Sequence, residues 1–445
     1  MLENRSGKLF YQNGGEKLQI EAWGKNALRV RATQHQDFDP QDWALDVKDA
    51  GCGTVMIQKK TGSNRMGFPE TKWTGSITNC ALTAEINENG VLCFKNDRGE
   101  LLLKEYSRRL QDETSMALDI PAREYRLPHG DLFETHVHFC PNRREKIFGM
   151  GQYQQHDLNL KGCVLELAQR NSQVSVPFYI SSLGYGFLWN NPAIGSVAFA
   201  ANGTEWIAKA TRQIDYLVIA GPTPAKIHET YMTLTGLPPM MPEYGLGFWQ
   251  CKLRYASQEE LLSVARKYYE QGIPVDVIVC DFFHWPSEGD FCFDPDLWPD
   301  PAAMCRELAE MGMRLMVSVW PTVEPRSRNF AEMKEKGLLT RCDQGVQATM
   351  MGMGHTLFYD ATNAEARAYV WDKIRENYWD KGAKLYWLDV AEPEYTGYSF
   401  ETYRYALGSD MEVGNIYPRL YLKGFYDGMK SEKDPAPVSL IRSAW

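Results

Sequence analysis

Apolar strands alternate with helical segments through the second half of the chain, and this repeat limits the possible fold more than any other feature. The predicted strands lie at 245–249, 275–282, 313–320, 385–389 and 436–441. The predicted helices between them lie at 257–272, 300–312, 327–337, 363–381 and 412–430. Apolar strands separated by helices predict a parallel sheet covered on both faces, either doubly wound or closed as a barrel. No glycine-rich phosphate-binding loop follows the first strand, which favours the barrel.

The first 220 residues follow a different pattern, in which apolar and polar residues alternate with period two. The segments 17–22 and 27–31 show it, and turn signals such as Asn13-Gly14-Gly15 separate the segments. Many short strands without a long helical period predict an antiparallel β-sandwich. The residues between the two patterns include five prolines. We therefore expect a multi-domain chain: a β-sandwich at 1–220, a proline-rich linker with a short helix at 221–242, and the barrel at 243–445.

Two segments of the first half resemble functional loops only weakly. The segment 148–153 is rich in glycine but lacks G-x-G-x-x-G spacing, so it predicts no dinucleotide site. Gln169, Arg170 and Asn171 follow an apolar strand. They form either a loop aimed at a neighbouring domain or a solvated turn, and we favour the turn.

The charge balance and the cysteines narrow the class of protein. A net charge of −9 without a long basic run argues against nucleic-acid partners and acidic membrane surfaces. No segment resembles a signal peptide at the N-terminus or a membrane span. The ten cysteines contain no C-x-x-C pair, and several lie in apolar runs, which is typical of reduced core thiols in a cytoplasmic protein. His136 and His138 fit a polar strand face better than a metal pair, so neither a metal nor a cofactor is predicted.

Residues suited to carbohydrate chemistry stand at the ends of the predicted barrel strands. Trp249, Asp281, Trp320 and Asp389 are predicted at strand carboxyl ends, which converge on one pocket in a barrel. Carboxylic acids cleave glycosidic bonds, and flat indoles cover the apolar face of a pyranose. Thirteen Trp and 23 Tyr fit such a site or a large aromatic core equally well. Judged from the residues around it alone, Asp389 is as well explained as a cap of a loop or of the next helix as it is by a role in catalysis.

Several motifs together resemble one enzyme family. The segment Trp387-Leu388-Asp389-Val390-Ala391-Glu392 is similar to a W-x-D-M-N-E signature, with Val390 and Ala391 replacing Met and Asn. Further similar segments lie at 176–182, 184–186, 242–249, 293–295 and 299–301. The family is glycoside hydrolase family 31, which contains α-glucosidases and α-xylosidases, and the resemblance covers nearly the whole chain.

The resemblance implies a β-sandwich followed by a (β/α)₈ barrel, and retaining hydrolysis of α-linked sugars. It implies that Asp389 is the nucleophile and that Glu392 supports it. Asp281 would hold sugar hydroxyls, Trp320 would form a wall of the same subsite, and Arg442 would follow the next strand. Further contacts with the oligosaccharide are expected from Trp249, Trp387, Phe282 and His284.

Elementary chemistry agrees with these roles but leaves two alternatives open. A retaining enzyme needs an ionised carboxylate to attack the anomeric carbon and a second acid roughly 5–5.5 Å away. Arg442 beside Asp389 would keep that carboxylate charged. Arg442 could instead be a structural ion-pair partner, and Glu392 a loop acid.

The acid/base of the family is an Asp in a W-S-G-D-like motif, and no such motif occurs before Trp445. We count only about five of the eight barrel units. We therefore expect an N-terminal fragment of a longer enzyme, or a truncated product, whose acid/base lies beyond Trp445. Nothing in the sequence supports Glu394 or Asp410 in that role. Alone, the chain is expected to hydrolyse little or nothing, since general acid assistance contributes ~10²–10⁴-fold.

Substrate preference rests on the residues after Asp281. The rings of Phe282, Phe283 and Trp285 would crowd a C6 hydroxymethyl group and favour xylosides, whereas Trp387 is what the α-glucosidases of the family carry. We favour an α-xylosidase, with an α-glucosidase or α-transglycosylase as the alternative. An oligomer is possible.

Two other classes of protein stay open. One is a sugar-binding remnant without catalysis. The other is a Mg²⁺ site built from Asp389, Glu392 and Glu394, which their position on one short loop disfavours.

Overall fold

The structure is a computed structural model that describes residues 1–46, 51, 53–63, 69–108, 120–342 and 356–442. Residues 350–354, whose glycines and methionines predict a loop, and residues 443–445 lie outside the described residues. Contacts divide the chain into two compact units. The sandwich unit comprises Met1–Ala168 and Ser175–Pro238, and the barrel unit comprises Gln169–Val174 and Pro239–Trp445.

The sandwich unit is built from antiparallel strands, as the period-two pattern predicts. The strands are β1 (Leu2–Arg5), β2 (Lys8–Asn13), β3 (Glu16–Ala22), β4 (Ala27–Thr33), β5 (Thr54–Ser63), β6 (Pro69–Asn79), β7 (Leu82–Ile86), β8 (Leu92–Asn96), β9 (Leu101–Lys104), β10 (Arg123–His129), β11 (Leu132–Phe139), β12 (Ile147–Gln152), β13 (Val164–Leu167), β14 (Val174–Ser181), β15 (Tyr185–Trp189), β16 (Gly195–Ala200), β17 (Gly203–Thr211) and β18 (Ile214–Ala220). They form sheets of order β1-β2-β3-β4-β18-β15-β14-β12, β5-β6-β7-β8-β9 and β10-β11-β17-β16-β13.

Aromatic side chains fill the core of the sandwich unit. Phe187 stacks on Trp206 and on Tyr216, with ring centroids 5.0 and 5.1 Å apart, and Trp189 stacks on Trp206 at 5.4 Å. All four rings are fully buried. A large aromatic core therefore accounts for part of the Trp and Tyr content.

A short helix, α1 (Pro224–Thr235), follows β18, as the proline pattern predicts. The Thr223 side chain accepts a hydrogen bond from the Lys226 backbone N–H, and Pro224 opens the first turn. The helix ends at Gly236, whose φ of 109° suits glycine.

The barrel unit alternates strands and helices. Its strands are β19 (Trp249–Cys251), β20 (Val277–Cys280), β21 (Arg314–Val319), β22 (Thr322–Val323), β23 (Arg341–Cys342), β24 (Leu357–Phe358), β25 (Leu385–Leu388), β26 (Tyr403–Arg404) and β27 (Ser439–Ile441). Its helices are α2 (Gln258–Glu270), α3 (Pro301–Glu310), α4 (Phe330–Glu335), α5 (Ala364–Asn377), α6 (Asp410–Val413) and α7 (Tyr417–Ser431). No helix in the described part of the chain is long and apolar enough to cross a membrane.

Five strands of this unit form one parallel sheet of order β19-β20-β21-β25-β27. This half-barrel confirms the predicted partial barrel with about five units. The strand predicted at 245–249 is wrong, because Gly245 donates its N–H to the Pro242 carbonyl and 243–246 form a 3₁₀ turn. Trp249 therefore begins β19 instead of ending it.

The register of the parallel sheet decides which side chains face the barrel interior. Val279, Met316 and Leu385 pair across three strands and belong to one buried cluster. Successive residues of a strand point to opposite faces, so every second position is interior. The same face continues past the strand ends to Asp281 and Asp389. The alternation thus places both acids above the interior cluster.

The cysteines differ partly from their prediction as core thiols. Cys280 and Cys292 are buried, whereas Cys80 and Cys251 are exposed, so the prediction is wrong for the latter two. Cys52 lies outside the described residues.

Candidate active site

Two buried acids follow neighbouring strands of the parallel sheet. Asp281 comes directly after β20 and is 6% exposed, and Asp389 comes directly after β25 and is 8% exposed. The Asp389 backbone N–H donates to the Val319 carbonyl at 3.1 Å, which extends the strand ladder by one residue. Burial raises the pKa of Asp281, and the nearby charge of Asp389 raises it further. The two carboxylates therefore act on each other across one space.

Arg442 follows β27 and gathers three carboxylates. Its guanidinium binds both oxygens of Glu392, at 2.8 Å from Nε and 3.1 Å from Nη2. Nη2 also donates to Glu394 Oε2 at 3.3 Å. Nη1 lies 3.5 Å from Asp389 Oδ1. Nearby carboxylates hold the pKa of Arg442 above its usual range despite burial. The Arg442 guanidinium thus interacts with three carboxylates, and the two hydrogen bonds to Glu392 fix its orientation.

One oxygen of the Asp389 carboxylate, Oδ1, is buried and has no hydrogen-bond donor among the described residues. Buried carboxylate oxygens are normally bonded, and the exceptions cluster where chemistry occurs. A carboxylate that is not committed to hydrogen bonds within the fold can serve as a nucleophile.

Glu392 supports this arrangement through its contacts with Arg442. It is 2% exposed, and burial raises its pKa while Arg442 opposes the increase. Its two oxygens fix the plane of the guanidinium, as a bidentate pair does. Glu392 therefore orients Arg442.

The backbone turns sharply just after each acid. Val390 has φ of 57° and Phe283 has φ of 58°. Positive φ is unusual for any residue with a side chain and is a strong outlier for a β-branched one. Such conformations occur where the surrounding structure forces them, often at functional sites. Here the two positive φ angles turn the backbone away from the strand direction shortly after each carboxylate.

An aromatic wall stands beside Asp281. Phe282 stacks on Trp320 with ring centroids 5.3 Å apart, and Phe283 and Trp285 contact the same indole at 5.8 and 5.6 Å. Trp320 is buried, whereas Phe282 is half-buried. Flat rings at this place can cover one face of a sugar and restrict its substituents.

The structure places His284 in the core behind Asp281. Its Nδ1 donates to the Asp281 carbonyl oxygen at 2.9 Å, and the Tyr378 hydroxyl donates to Nε2 at 2.8 Å. Burial lowers the pKa of His284 to about 4, so the ring is neutral. With both nitrogens occupied, His284 fits a supporting role better than contact with a sugar.

Trp249 and Trp387 lie deeper than the acids. Both pack partly buried against the interior cluster of Val277, Val279, Met316 and Leu385. Trp249 Nε1 donates to the Tyr244 carbonyl at 3.1 Å. The two indoles therefore form part of the floor below the site, and Trp387 lies two residues below Asp389 on the same face.

The segment Gln169–Val174 belongs to the barrel unit. Asn171 Nδ2 donates to Glu394 Oε1 at 2.6 Å, and its backbone N–H donates to the Tyr398 hydroxyl at 2.9 Å. Arg170 and Gln173 do bridge in a turn. The favoured interpretation as a solvated turn is nevertheless wrong, because the turn binds the segment that follows Asp389.

Neither acid considered as a proton donor fits that role. Glu394 is bound to Arg442 and Asn171. Asp410 is 1% exposed, and burial holds its pKa well above the usual range. The three acids weighed as Mg²⁺ ligands instead surround Arg442, which already supplies a positive charge among them.

Sequence reasoning did not predict the contacts that bring Asn171, Glu394 and Tyr378 to the site. Asn171 and Glu394 are 223 residues apart, and His284 and Tyr378 are 94 apart. The only signal was the polar cluster after an apolar strand at 169–171, and it left the partner unknown.

Models of one family match both units. The glycosyl hydrolase 31 N-terminal galactose mutarotase-like domain matches residues 17–197, and the glycosyl hydrolases family 31 TIM-barrel domain matches residues 238–445. A solved α-xylosidase of this family from a soil metagenome, complexed with xylose, is 49% identical with a TM-score of 0.92. That likeness covers all of this chain and 65% of the xylosidase.

Relatives from named organisms agree. An uncharacterized family 31 glucosidase, ORF2 of Pseudescherichia vulneris, is 48% identical over 96% of this chain and 80% of its own length. α-Xylosidase A of Aspergillus niger is 30% identical over 98% of this chain, which spans 63% of that enzyme. The chain therefore covers slightly less than two thirds of these two α-xylosidases. Both domain models and these identities show that the chain belongs to glycoside hydrolase family 31.

Proposed function

We propose that the chain carries the nucleophile and sugar subsite of a retaining α-glycosidase that prefers α-xylosides. The observation that carries this proposal is Asp389 at the end of β25, with Arg442 at 3.5 Å and a buried Oδ1 that accepts no hydrogen bond from a described residue.

In the proposed reaction, Asp389 attacks the anomeric carbon while the bond to the leaving oxygen breaks. The glycosyl-enzyme is then hydrolysed by water, which regenerates the carboxylate with overall retention. Arg442 stabilises the negative charge of Asp389 before attack and after release. Asp281 accepts hydrogen bonds from sugar hydroxyls, and such bonds can strengthen in the transition state.

The proton donor for the leaving group is an acid other than Glu392, Glu394 and Asp410. Glu392 and Glu394 are held by Arg442, and Asp410 is buried. We propose that an acid outside the described residues fills this role, roughly 5–5.5 Å from Asp389 as a retaining enzyme requires.

The preference for xylosides rests on the aromatic wall. Phe282 on Trp320 leaves a bulky ring beside the sugar-binding acid, and xylose lacks the C6 hydroxymethyl that such a ring would crowd. Two relatives are named α-xylosidases. The competing α-glucosidase function draws support from ORF2, which is named a glucosidase and is 48% identical.

Two measurements on the complete protein test this proposal. Proton NMR at early times should show α-xylose as the first product from an aryl α-xyloside, because two displacements retain configuration. β-Xylose as the first product would contradict a covalent intermediate. kcat/KM should be higher for the aryl α-xyloside than for the matching α-glucoside, and the reverse order would favour the α-glucosidase. Saturable xylose binding without turnover would instead indicate a non-catalytic remnant.

A further inference from the structure

A short turn far from Asp389 in the sequence is tied to the acids beside it. The turn is Gln169–Val174, which lies between β13 and β14 in the sequence but belongs to the barrel unit. The Arg170 guanidinium lies over the rings of Tyr398 and Phe400, at 4.6 and 5.2 Å. The Asn171 backbone N–H donates to the Tyr398 hydroxyl at 2.9 Å. Three contacts therefore hold the turn against 398–400.

The Asn171 side chain continues this connection toward Asp389. Its Nδ2 donates a hydrogen bond to Glu394 Oε1 at 2.6 Å. The other oxygen of Glu394, Oε2, accepts a hydrogen bond from Arg442 Nη2 at 3.3 Å. Nη1 of the same guanidinium lies 3.5 Å from Asp389 Oδ1. The path from Asn171 to the proposed nucleophile is thus two side chains long.

The chemistry at position 171 suits the charge of this cluster. Three carboxylates share one guanidinium, so the cluster lacks positive charge. An amide can donate a hydrogen bond to Glu394 without adding charge. By satisfying one Glu394 oxygen, Asn171 reduces the pull of that acid on Arg442 and fixes its orientation.

We propose that Asn171 is a positioning residue for the glycosylation step, and that it acts through Glu394 to hold Arg442 against Asp389. This proposal rests on the proposed role of Asp389 as nucleophile. It predicts that Asn171 affects the rate at which Asp389 attacks, not the binding of the sugar.

The test uses 5-fluoro-α-D-xylopyranosyl fluoride with the complete protein. Asp389 Oδ forms a bond to C1 while the C1–F bond breaks, and fluoride leaves with the electron pair. Fluoride needs no proton donor, so the first-order labelling rate reports on the nucleophile and its neighbours alone. Mass spectrometry follows the label over time, and the concentration dependence separates the binding constant from the rate constant.

Asn171→Asp is the decisive variant, because it keeps the shape and replaces a donor by a fourth carboxylate. The labelling rate constant should fall on the order of tenfold, the binding constant should change little, and the acidic limb of the pH profile should move to higher pH. Asn171→Ala removes only the donor, so we expect a smaller loss, about threefold, with the limb unmoved. Asn89→Asp, an exposed position in the turn between β7 and β8, is the matched control and should behave as wild type.

A double variant checks that Asn171 acts through Glu394. Added to Glu394→Ala, Asn171→Ala should cause no further loss if the two residues form one path. Full additivity of the two losses, or wild-type labelling and an unmoved pH limb for Asn171→Asp, overturns the positioning role. If the wild-type protein leaves Asp389 unlabelled, the proposed function itself fails, and Asn171 then has no part in such a reaction.

Discussion

Each unit of the protein contains an arginine that binds several carboxylates, and the two clusters differ in how completely they are bonded. In the sandwich unit, Arg123 binds both oxygens of Glu16 and one oxygen of Glu105. The Tyr216 hydroxyl donates to the other oxygen of Glu105 at 3.0 Å, and the Tyr125 hydroxyl donates to Glu16. Every carboxylate oxygen of that cluster accepts a hydrogen bond.

The Arg442 cluster in the barrel unit is less completely bonded within the described residues. Glu392 is bonded twice, whereas Asp389 Oδ1 accepts no hydrogen bond from a described residue. In a cluster whose carboxylate oxygens all accept hydrogen bonds, the carboxylates serve the fold. A cluster with an unbonded carboxylate oxygen keeps an acceptor that another molecule can use. The same residue types thus form a fully bonded cluster in one unit and leave a buried carboxylate oxygen unbonded in the other.

Removing the Asp389 carboxylate should have the largest effect. Asp389→Gly in the complete protein should lower kcat/KM for an aryl α-xyloside on the order of 10⁴-fold, because no covalent intermediate can form. Azide should restore turnover by entering from the vacated face and yielding the β-xylosyl azide. Substantial hydrolysis by this variant without azide would contradict the role of Asp389 as the nucleophile.

Replacing each arginine by Met should separate stability from chemistry. Arg123→Met leaves the fully buried carboxylate of Glu105 without its cation, so we expect a loss of roughly 3–5 kcal/mol in the free energy of unfolding. Arg442→Met should cost less stability, because the Arg442 side chain is 32% exposed and that of Arg123 only 4%, but it should slow labelling of Asp389 about 10²-fold. Urea unfolding and labelling kinetics measure the two quantities. Equal stability losses would show that both clusters are structural.

The aromatic wall should determine the preference for xyloside over glucoside substrates. Phe282→Ala removes the ring stacked on Trp320, so the ratio of kcat/KM for glucoside over xyloside should rise roughly tenfold. Phe248→Ala removes an exposed ring that packs on Tyr268, and it serves as the control with an unchanged ratio. An unchanged ratio for both variants would exclude Phe282 as the specificity residue.

His284 should give the smallest effect, a pH dependence of stability. Its pKa is about 4 in the folded protein, below the ordinary 6.5, so the unfolded chain binds a proton first as the pH falls. The stabilisation is complete above pH 6.5 and is lost between 6.5 and about 4. His284→Asn should flatten the slope of unfolding free energy over that range relative to wild type. Parallel slopes would contradict a buried neutral imidazole.

Local patterns predicted the fold and the strand-end acids, because both depend on residues close in sequence. The period-two and strand–helix repeats led to the sandwich and the half-barrel, and the motif at 387–392 led to Asp389. Trp249 was misplaced, since Gly245 makes a turn where the apolar run suggested a strand. The link from Asn171 to Glu394 could not be predicted, because it joins residues 223 positions apart.

The most direct test of the role of Asp389 in the Arg442 cluster is the position of the fluoroxylosyl label. The complete protein is incubated with 5-fluoro-α-D-xylopyranosyl fluoride, digested, and the modified residue is located by tandem mass spectrometry. The proposed role of Asp389 as nucleophile predicts one label per chain on Asp389 and no label on the Asp389→Gly variant. A label on Asp281, Glu392 or Glu394 would contradict the assignment, and so would label that persists in the Asp389→Gly variant.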